Sequence, residues 1–151
     1  MKERKKSLTR LANNLYRCTQ AYTNEVLLKY QLSSGTYPFL LILKGNEGIN
    51  QNQISRELNI DKAMSARAIK SLIALGYLRR EYDKEDSRAH KLFLTEKAEE
   101  IIPEVVEELN RWNTAITEGL TDIEKERILE YLEKGLENAK NHKNKFLQNE
   151  G

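Results

Sequence analysis

Apolar residues recur in steps of three and four at Leu8, Leu11, Leu15, Cys18, Tyr22, Val26 and Tyr30, which predicts one face of a long first helix. Ser33, Ser34 and Gly35 break it. Thr36 then stands where a second helix needs a cap, and Pro38 suits its first turn, where the missing N–H has no intrahelical partner to lose. Residues 39–43 are apolar all round, which predicts a helix at the centre of the fold. Asn50 and Gln53 have the spacing of a capping box for a third helix through Leu58. After a tight turn at Asn59 and Ile60, Asp61 caps a fourth helix that stops at Gly76. Residues 77–82 and 91–94 alternate in strand fashion around a charged stretch, 83–90, and so predict a hairpin. Thr95 caps a fifth helix carrying Ile102, Val105, Val106, Leu109, Trp112 and Ile116, with Pro103 predicting a kink or restart inside it. Thr121 and Glu124 form a second capping box, opening a last helix with Ile123, Ile128, Leu132 and Leu136 on its apolar side.

Composition narrows this picture. Seven Gly and two Pro in 151 residues are too few for a turn-rich sandwich or barrel, so the fold class is mainly α with a small β-hairpin. With 39% hydrophobic and 32% charged residues, the core is thin and the surface wet, a balance that suits helices completing their core by dimerising. The net charge of +2 hides an uneven distribution. Residues 1–49 carry eight Lys and Arg against three Asp and Glu, residues 50–95 nine against six, and residues 96–151 eight against fourteen. A basic first two thirds and an acidic last third point to a part that faces a polyanion and a part with another task.

The same inventory excludes other classes. One cysteine, Cys18, permits neither an intramolecular disulfide nor a Cys-based zinc site. Two histidines, no phosphate-binding glycine loop and no nucleophile elbow leave nothing for an active site, so no enzyme, cofactor or metal is expected. The charged start has no apolar segment behind it and the longest apolar run is 39–43, so the expected location is cytoplasmic, with no membrane partner.

The informative stretch is 54–97. Two short helices joined by a three-residue turn and followed by a hairpin make a winged helix-turn-helix, whose second helix lies in the major groove of duplex DNA. Ile54, Leu58, Ile60, Ile69 and Leu72 supply the apolar contacts between the two helices, which leaves Lys62, Ala63, Met64, Ala66, Arg67 and Lys70 for the outer face. Arg67 is the candidate for base readout, because a guanidinium binds guanine O6 and N7 bidentately. Lys62 and Lys70, as point charges, suit phosphates.

Here the chain resembles the MarR/SlyA family of transcriptional regulators. The resemblance rests on Asp61-Lys62 at the start of the fourth helix, Gly76-Tyr77-Leu78, the wing segment Asp86-Ser87-Arg88-Ala89, and Leu92, Leu94, Thr95, Glu96 and Lys97. It covers residues about 36–97, and the flanking helices match in order and length. It implies that the wing residue Arg88 enters the minor groove with Asp86 orienting it, in keeping with the pull of a narrow minor groove on arginine. It also implies that the first, fifth and sixth helices interlock into a homodimer. The domain reading is therefore 1–33 as an N-terminal dimerisation helix, 34–97 as the winged helix-turn-helix, with the helix pair at about 50–76 and the wing at about 77–95, and 98–151 as C-terminal dimerisation helices. One departure is Met64, where relatives often have Thr or Ser. An apolar contact replaces a hydrogen-bonding one, so sequence preference is expected to differ. Ser65 is expected to be half-buried and bonded to a backbone carbonyl.

The function expected is a sequence-specific DNA-binding regulator, a repressor on an inverted-repeat operator, whose partners are double-stranded DNA and a second copy of the chain. The resemblance allows control by a small phenolic or amphipathic ligand, for which Tyr16, Tyr22, Tyr30 and Tyr37 are the candidate cleft, or by a reactive cysteine. Cys18 sits on the apolar stripe of its helix, so it is read as a buried structural thiol, with a redox sensor as the alternative. A winged helix used for protein docking is the other alternative, distinguished by its lack of salt-dependent DNA affinity.

Overall fold

The computed structural model describes residues 6–82, 84–85 and 90–148. Its elements run α1 (Leu8–Val26), a 3-10 turn (Leu28–Tyr30), α2 (Tyr37–Leu43), α3 (Gln51–Leu58), α4 (Lys62–Ala74), β1 (Leu78–Tyr82), β2 (His90–Leu94), α5 (Glu96–Ile116) and α6 (Asp122–Gln148). The chain divides into one compact unit that ends at Trp112 and a second that begins at Asn113, with α5 running across the division.

In the first unit, α2 is the hub. Phe39, Leu40 and Leu43 are buried, and so are Ile54 of α3, Ile69 and Leu72 of α4, and Ile102 and Val105 of α5. Fully burying a side chain of this size contributes roughly 1.5–3 kcal/mol, so this cluster outweighs any single polar contact. The hairpin is antiparallel with Leu78 opposite Leu94 and Tyr82 opposite His90. Its free edge is partly closed by the segment before α3. Gly48 donates to the Leu92 carbonyl at 2.8 Å, Leu92 donates to that of Ile49 at 3.1 Å, and Asn50 bridges Lys91. The approach needs Gly48 at φ 87°, a backbone region that side chains disfavour.

Both capping boxes are present. Asn50 Oδ1 accepts from Gln53 N at 2.9 Å while Gln53 Oε1 accepts from Asn50 N at 2.8 Å, and Thr121 and Glu124 exchange the equivalent pair. Asp61 Oδ1 accepts from Met64 N at 2.8 Å, and Thr95 Oγ1 from Ala98 N at 3.3 Å. Asp61→Ala removes the cap of α4 and is expected to lower the unfolding free energy by ~0.5–2 kcal/mol in urea denaturation, whereas Asp61→Asn retains most of it.

Four expectations need correction. The first helix ends at Val26, because Leu27 and Leu32 both enter the core; a tight turn with Gln31 at φ 57° brings them there and leaves Leu28 outside. Thr36 does not cap α2: its hydroxyl accepts from Ser33 N at 2.9 Å, one turn back, although Pro38 does occupy the first turn. Helix α5 does not restart at Pro103, since Ala98, Ile102 and Val105, all at zero exposure, keep one face continuous across it. Strand β2 begins at His90, one residue before the expected start, and β1 at Leu78, one after.

Much of the predicted apolar striping is uncovered in the single chain. Leu8, Leu11 and Leu15 of α1 are exposed, as are Ile123, Ile128, Leu132 and Leu136 of α6. No helix among the described residues is long and apolar enough to cross a membrane.

Candidate nucleic-acid interface

Helix α4 owes its outer face to its inner one. Ser65, Ile69 and Leu72 point inward and are fully buried, at the three- and four-residue steps that bring one helix side together. Lys62, Ala63, Met64, Arg67 and Lys70 are thereby exposed and Ala66 half-buried, so the six residues singled out from sequence do form one accessible surface. No ion pair among the described residues engages Lys62, Arg67 or Lys70, whereas Arg79 is paired with Glu81, and Arg111 and Lys134 are paired farther along the chain.

The helix pair is joined by a polar link rather than by apolar contacts alone. Ser65 lies deeper than expected, and its hydroxyl shares a hydrogen bond of 2.7 Å with that of Ser55, not with a backbone carbonyl. Ser55 Oγ also donates to the Gln51 carbonyl at 2.9 Å. Gln51 Nε2 reaches the Lys62 carbonyl at 3.3 Å, which tethers the start of α4 to the start of α3.

The other end of α4 is clamped by residues far away in sequence. Thr95 Oγ1 donates to the Gly76 carbonyl and Lys97 Nζ to that of Leu75, each at 2.6 Å. A cation at a helix C-terminus is favourable, because the last carbonyls carry partial negative charge. Lys97 also lies 4.6 Å from the ring centroid of Tyr77, whose hydroxyl donates to the Tyr30 carbonyl at 2.8 Å. Burial pushes that phenol above its ordinary pKa, so it stays a donor. Gly-Tyr-Leu and Leu-Thr-Glu-Lys are thus two halves of one lock that fixes α4 against the hairpin.

Arg80 is a functional candidate that sequence reasoning missed. On β1 it shares a face with Leu78 and Tyr82, and with Lys70 and Ile73 it lines an open cavity of about 280 Å³. Neighbouring Arg79 turns the other way, 4.6 Å from the Phe93 ring and paired to Glu81. The strand's period of two separates the arginines, but only the position of α4 shows which one joins Lys70.

A second cavity, of about 240 Å³, lies between α1, α2 and the helix-turn-helix. Tyr16, Tyr37 and Phe39 contribute to its aromatic lining and Leu58, Ile60 and Met64 to its helix-turn-helix side. Burial, and after it the neighbouring Tyr16, pushes the Tyr37 phenol up. Tyr22 and Tyr30, expected to line the same cleft, lie elsewhere. Tyr22 stacks on Trp112 at 4.7 Å and donates to the Glu108 carboxylate at 3.0 Å, and burial with that carboxylate raises its pKa. Tyr30 packs on the core under Lys29 and lends its carbonyl to Tyr77.

Comparison with known proteins places this architecture. A family model described as MarR family matches residues 30–89. The chain is 29% identical over 126 residues to the HTH-type transcriptional regulator BilQ of Clostridioides difficile (strain CD3), covering 83% of this chain and 85% of that one. A crystal structure of a MarR transcriptional regulator from Methanosarcina mazei Go1 superposes with a TM-score of 0.83 at 34% identity, covering 87% of this chain and 95% of the other. The chain belongs to the MarR family. A MarR-family regulator from Listeria monocytogenes solved in complex with 26mer DNA has a TM-score of 0.84 at 27% identity, with 88% of this chain and 89% of that one covered.

As a MarR-family transcriptional regulator, the chain is not an enzyme. The segment matched by the family model runs from the 3-10 turn into the wing and so contains the α4 face and the first half of the lock. Asp86 and Arg88, which the MarR resemblance assigns to the wing, lie outside the described residues. Cys18 is exposed in this chain rather than buried, because the α1 stripe it shares with Leu11 and Leu15 has no cover here.

Proposed function

We propose that this MarR-family chain binds duplex DNA as a homodimer, reads an inverted-repeat operator through α4, and represses transcription until a small aromatic ligand releases it. The observation that carries this reading is the α4 face, where Lys62, Arg67 and Lys70 are exposed and engaged in no ion pair among the described residues. Arg67 reads base edges, and Lys62, Lys70 and Arg80 hold phosphates. In the wing, Arg88 enters the minor groove and Asp86 orients it. The exposed stripes of α1 and α6 support dimerisation, since apolar faces of that length are ordinarily covered by a partner. The cavity bounded by Tyr16 and Tyr37 supports control by a ligand. Control through Cys18 has less support: the guanidinium of the adjacent Arg17 is engaged by Asn14 Oδ1 at 3.0 Å.

Selection of DNA from a random library followed by footprinting tests the reading. The expected result is a two-fold symmetric site with half-site centres about 10 base pairs apart, matching one turn of DNA. Light scattering is expected to give a dimer at micromolar concentration. A monomer under those conditions, or a protected site lacking symmetry, would defeat it.

A further inference from the structure

We propose that Lys97 is a positioning residue for base readout: from the first turn of α5 it fixes the C-terminal end of α4, and so sets how that helix is presented to DNA. The inference rests on the DNA-binding reading above and adds to it a side chain that acts through α4 rather than on the DNA.

The last carbonyls of a helix have no partner within it and must find one elsewhere. At the end of α4 the Leu72 carbonyl accepts from Tyr77 N at 2.9 Å, and that of Ile73 from Gly76 N at 3.0 Å. The carbonyls of Leu75 and Gly76 are served from α5 and its cap, by Lys97 Nζ and Thr95 Oγ1, each at 2.6 Å. Lys97 does more than donate. Its stem lies 3.8 Å from where a Cβ on Gly76 would stand, and its ammonium 4.6 Å from the centroid of the Tyr77 ring. Tyr77 is itself buried, with its hydroxyl on the Tyr30 carbonyl. One side chain thus ties together the end of α4, the entry to β1 and the turn after α1. No carboxylate pairs with it among the described residues, so its charge is spent on the carbonyl and the ring.

Lys97 is exposed, and exposed cations stabilise a fold weakly. Its placement matters more for geometry. The opposite end of α4 is held separately, by the Asp61 cap and by Gln51 on the Lys62 carbonyl. Loosening the C-terminal end alone lets a helix of 13 residues tilt about the other. A binding constellation tolerates displacements of only about 0.5 Å, and the planar fork of Arg67 has less freedom to follow the tilt than a flexible lysine on a phosphate. The signature of a lost Lys97 is therefore lost discrimination between sequences, with general affinity for duplex DNA retained.

Lys97→Met keeps most of the stem and removes the charge and the donor; Lys97→Arg restores both. Affinity of the full-length protein for its selected operator and for an unrelated duplex of equal length is measured by fluorescence anisotropy across a salt series. Exchange of the α4 backbone amides is followed without DNA. In Lys97→Met the ratio of operator to unrelated affinity is expected to fall about tenfold, with the salt slope on the unrelated duplex and the thermal midpoint close to the parent's. Lys97→Arg is expected to recover most of the ratio. The Gly76 and Tyr77 amides are expected to exchange about tenfold faster in Lys97→Met, and that of Met64 at the parent's rate. An unchanged ratio overturns the proposal. So does an equal loss on both duplexes with a flatter salt slope, which would make Lys97 a phosphate contact. A ratio that falls only together with the thermal midpoint, and that Lys97→Arg does not recover, overturns it in favour of a purely structural role. A chain that binds no duplex DNA defeats the functional reading and this role with it, while faster exchange at Gly76 and Tyr77 marks the lock itself as sound.

Discussion

Replacing Lys62, Arg67 and Lys70 together by alanine is expected to lower operator affinity by roughly a hundredfold or more while leaving the thermal midpoint nearly unchanged. Loss of one bidentate base contact per half-site costs ~1–3 kcal/mol, and each lost phosphate contact removes about 0.9 from the slope of log affinity against log salt. The salt slope is therefore expected to flatten by about two units per half-site. The fold is spared because none of the three side chains is buried or ion-paired among the described residues, and alanine is the best helix former. Single changes separate the roles: Arg67→Ala relaxes preference at one symmetric pair of positions, whereas Lys70→Ala weakens all sequences alike. Unchanged affinity in the triple variant, or a parent whose DNA affinity ignores salt, would leave α4 as a docking surface for protein.

The opposite side of the same helix is expected to behave in the opposite way. Ile69 is fully buried in the core cluster with Ile54 and Leu72. Ile69→Ala deletes buried carbon and leaves a cavity that the surrounding helices close only in part, at a cost of ~2–5 kcal/mol. Against a typical domain stability of about 5–15 kcal/mol, that is a substantial fraction. Urea denaturation is the measurement, with the denaturation slope expected to stay constant. A loss below about 1 kcal/mol would mean that α4 packs less tightly than its zero exposure implies. At temperatures where both proteins remain folded, operator affinity is expected to change far less than in the triple-alanine variant.

How much of this was legible in the sequence follows the distance over which each interaction acts. The capping boxes at Asn50 and Thr121 and the cap at Asp61 are complete within four residues, so residue type and spacing sufficed. The outer face of α4 followed from helical period once Ile69 and Leu72 were placed inside. The turn at Leu27–Leu32 was hidden because the periodicity of α1 runs on through Tyr30 in the sequence; tertiary packing, which overrides local pattern, decides which leucine goes inside. The pairing of Gly48–Asn50 with β2 joins segments about forty residues apart and has no local signal. Of the four cleft tyrosines, Tyr22 and Tyr30 were misplaced because each is held by a distant group, Trp112 for one and Tyr77 for the other. Arg80 was missed because which arginine of a pair meets Lys70 depends on how a strand is set against a helix.

The hydroxyl pair of Ser55 and Ser65 constrains how this protein can change over generations. The Ser65 hydroxyl has that of Ser55 as its partner in a fully buried place, so losing Ser55 strands Ser65 at a cost of about 1–3 kcal/mol, whereas Ser55 without Ser65 keeps the Gln51 carbonyl. Losing both, with alanine at each position, removes the need for any partner and is close to neutral. Drift at Ser55 alone is thus penalised more than drift at Ser65 alone or at both. Across related sequences, loss of the hydroxyl at position 55 is therefore expected to follow its loss at position 65, although ten residues and a turn separate them.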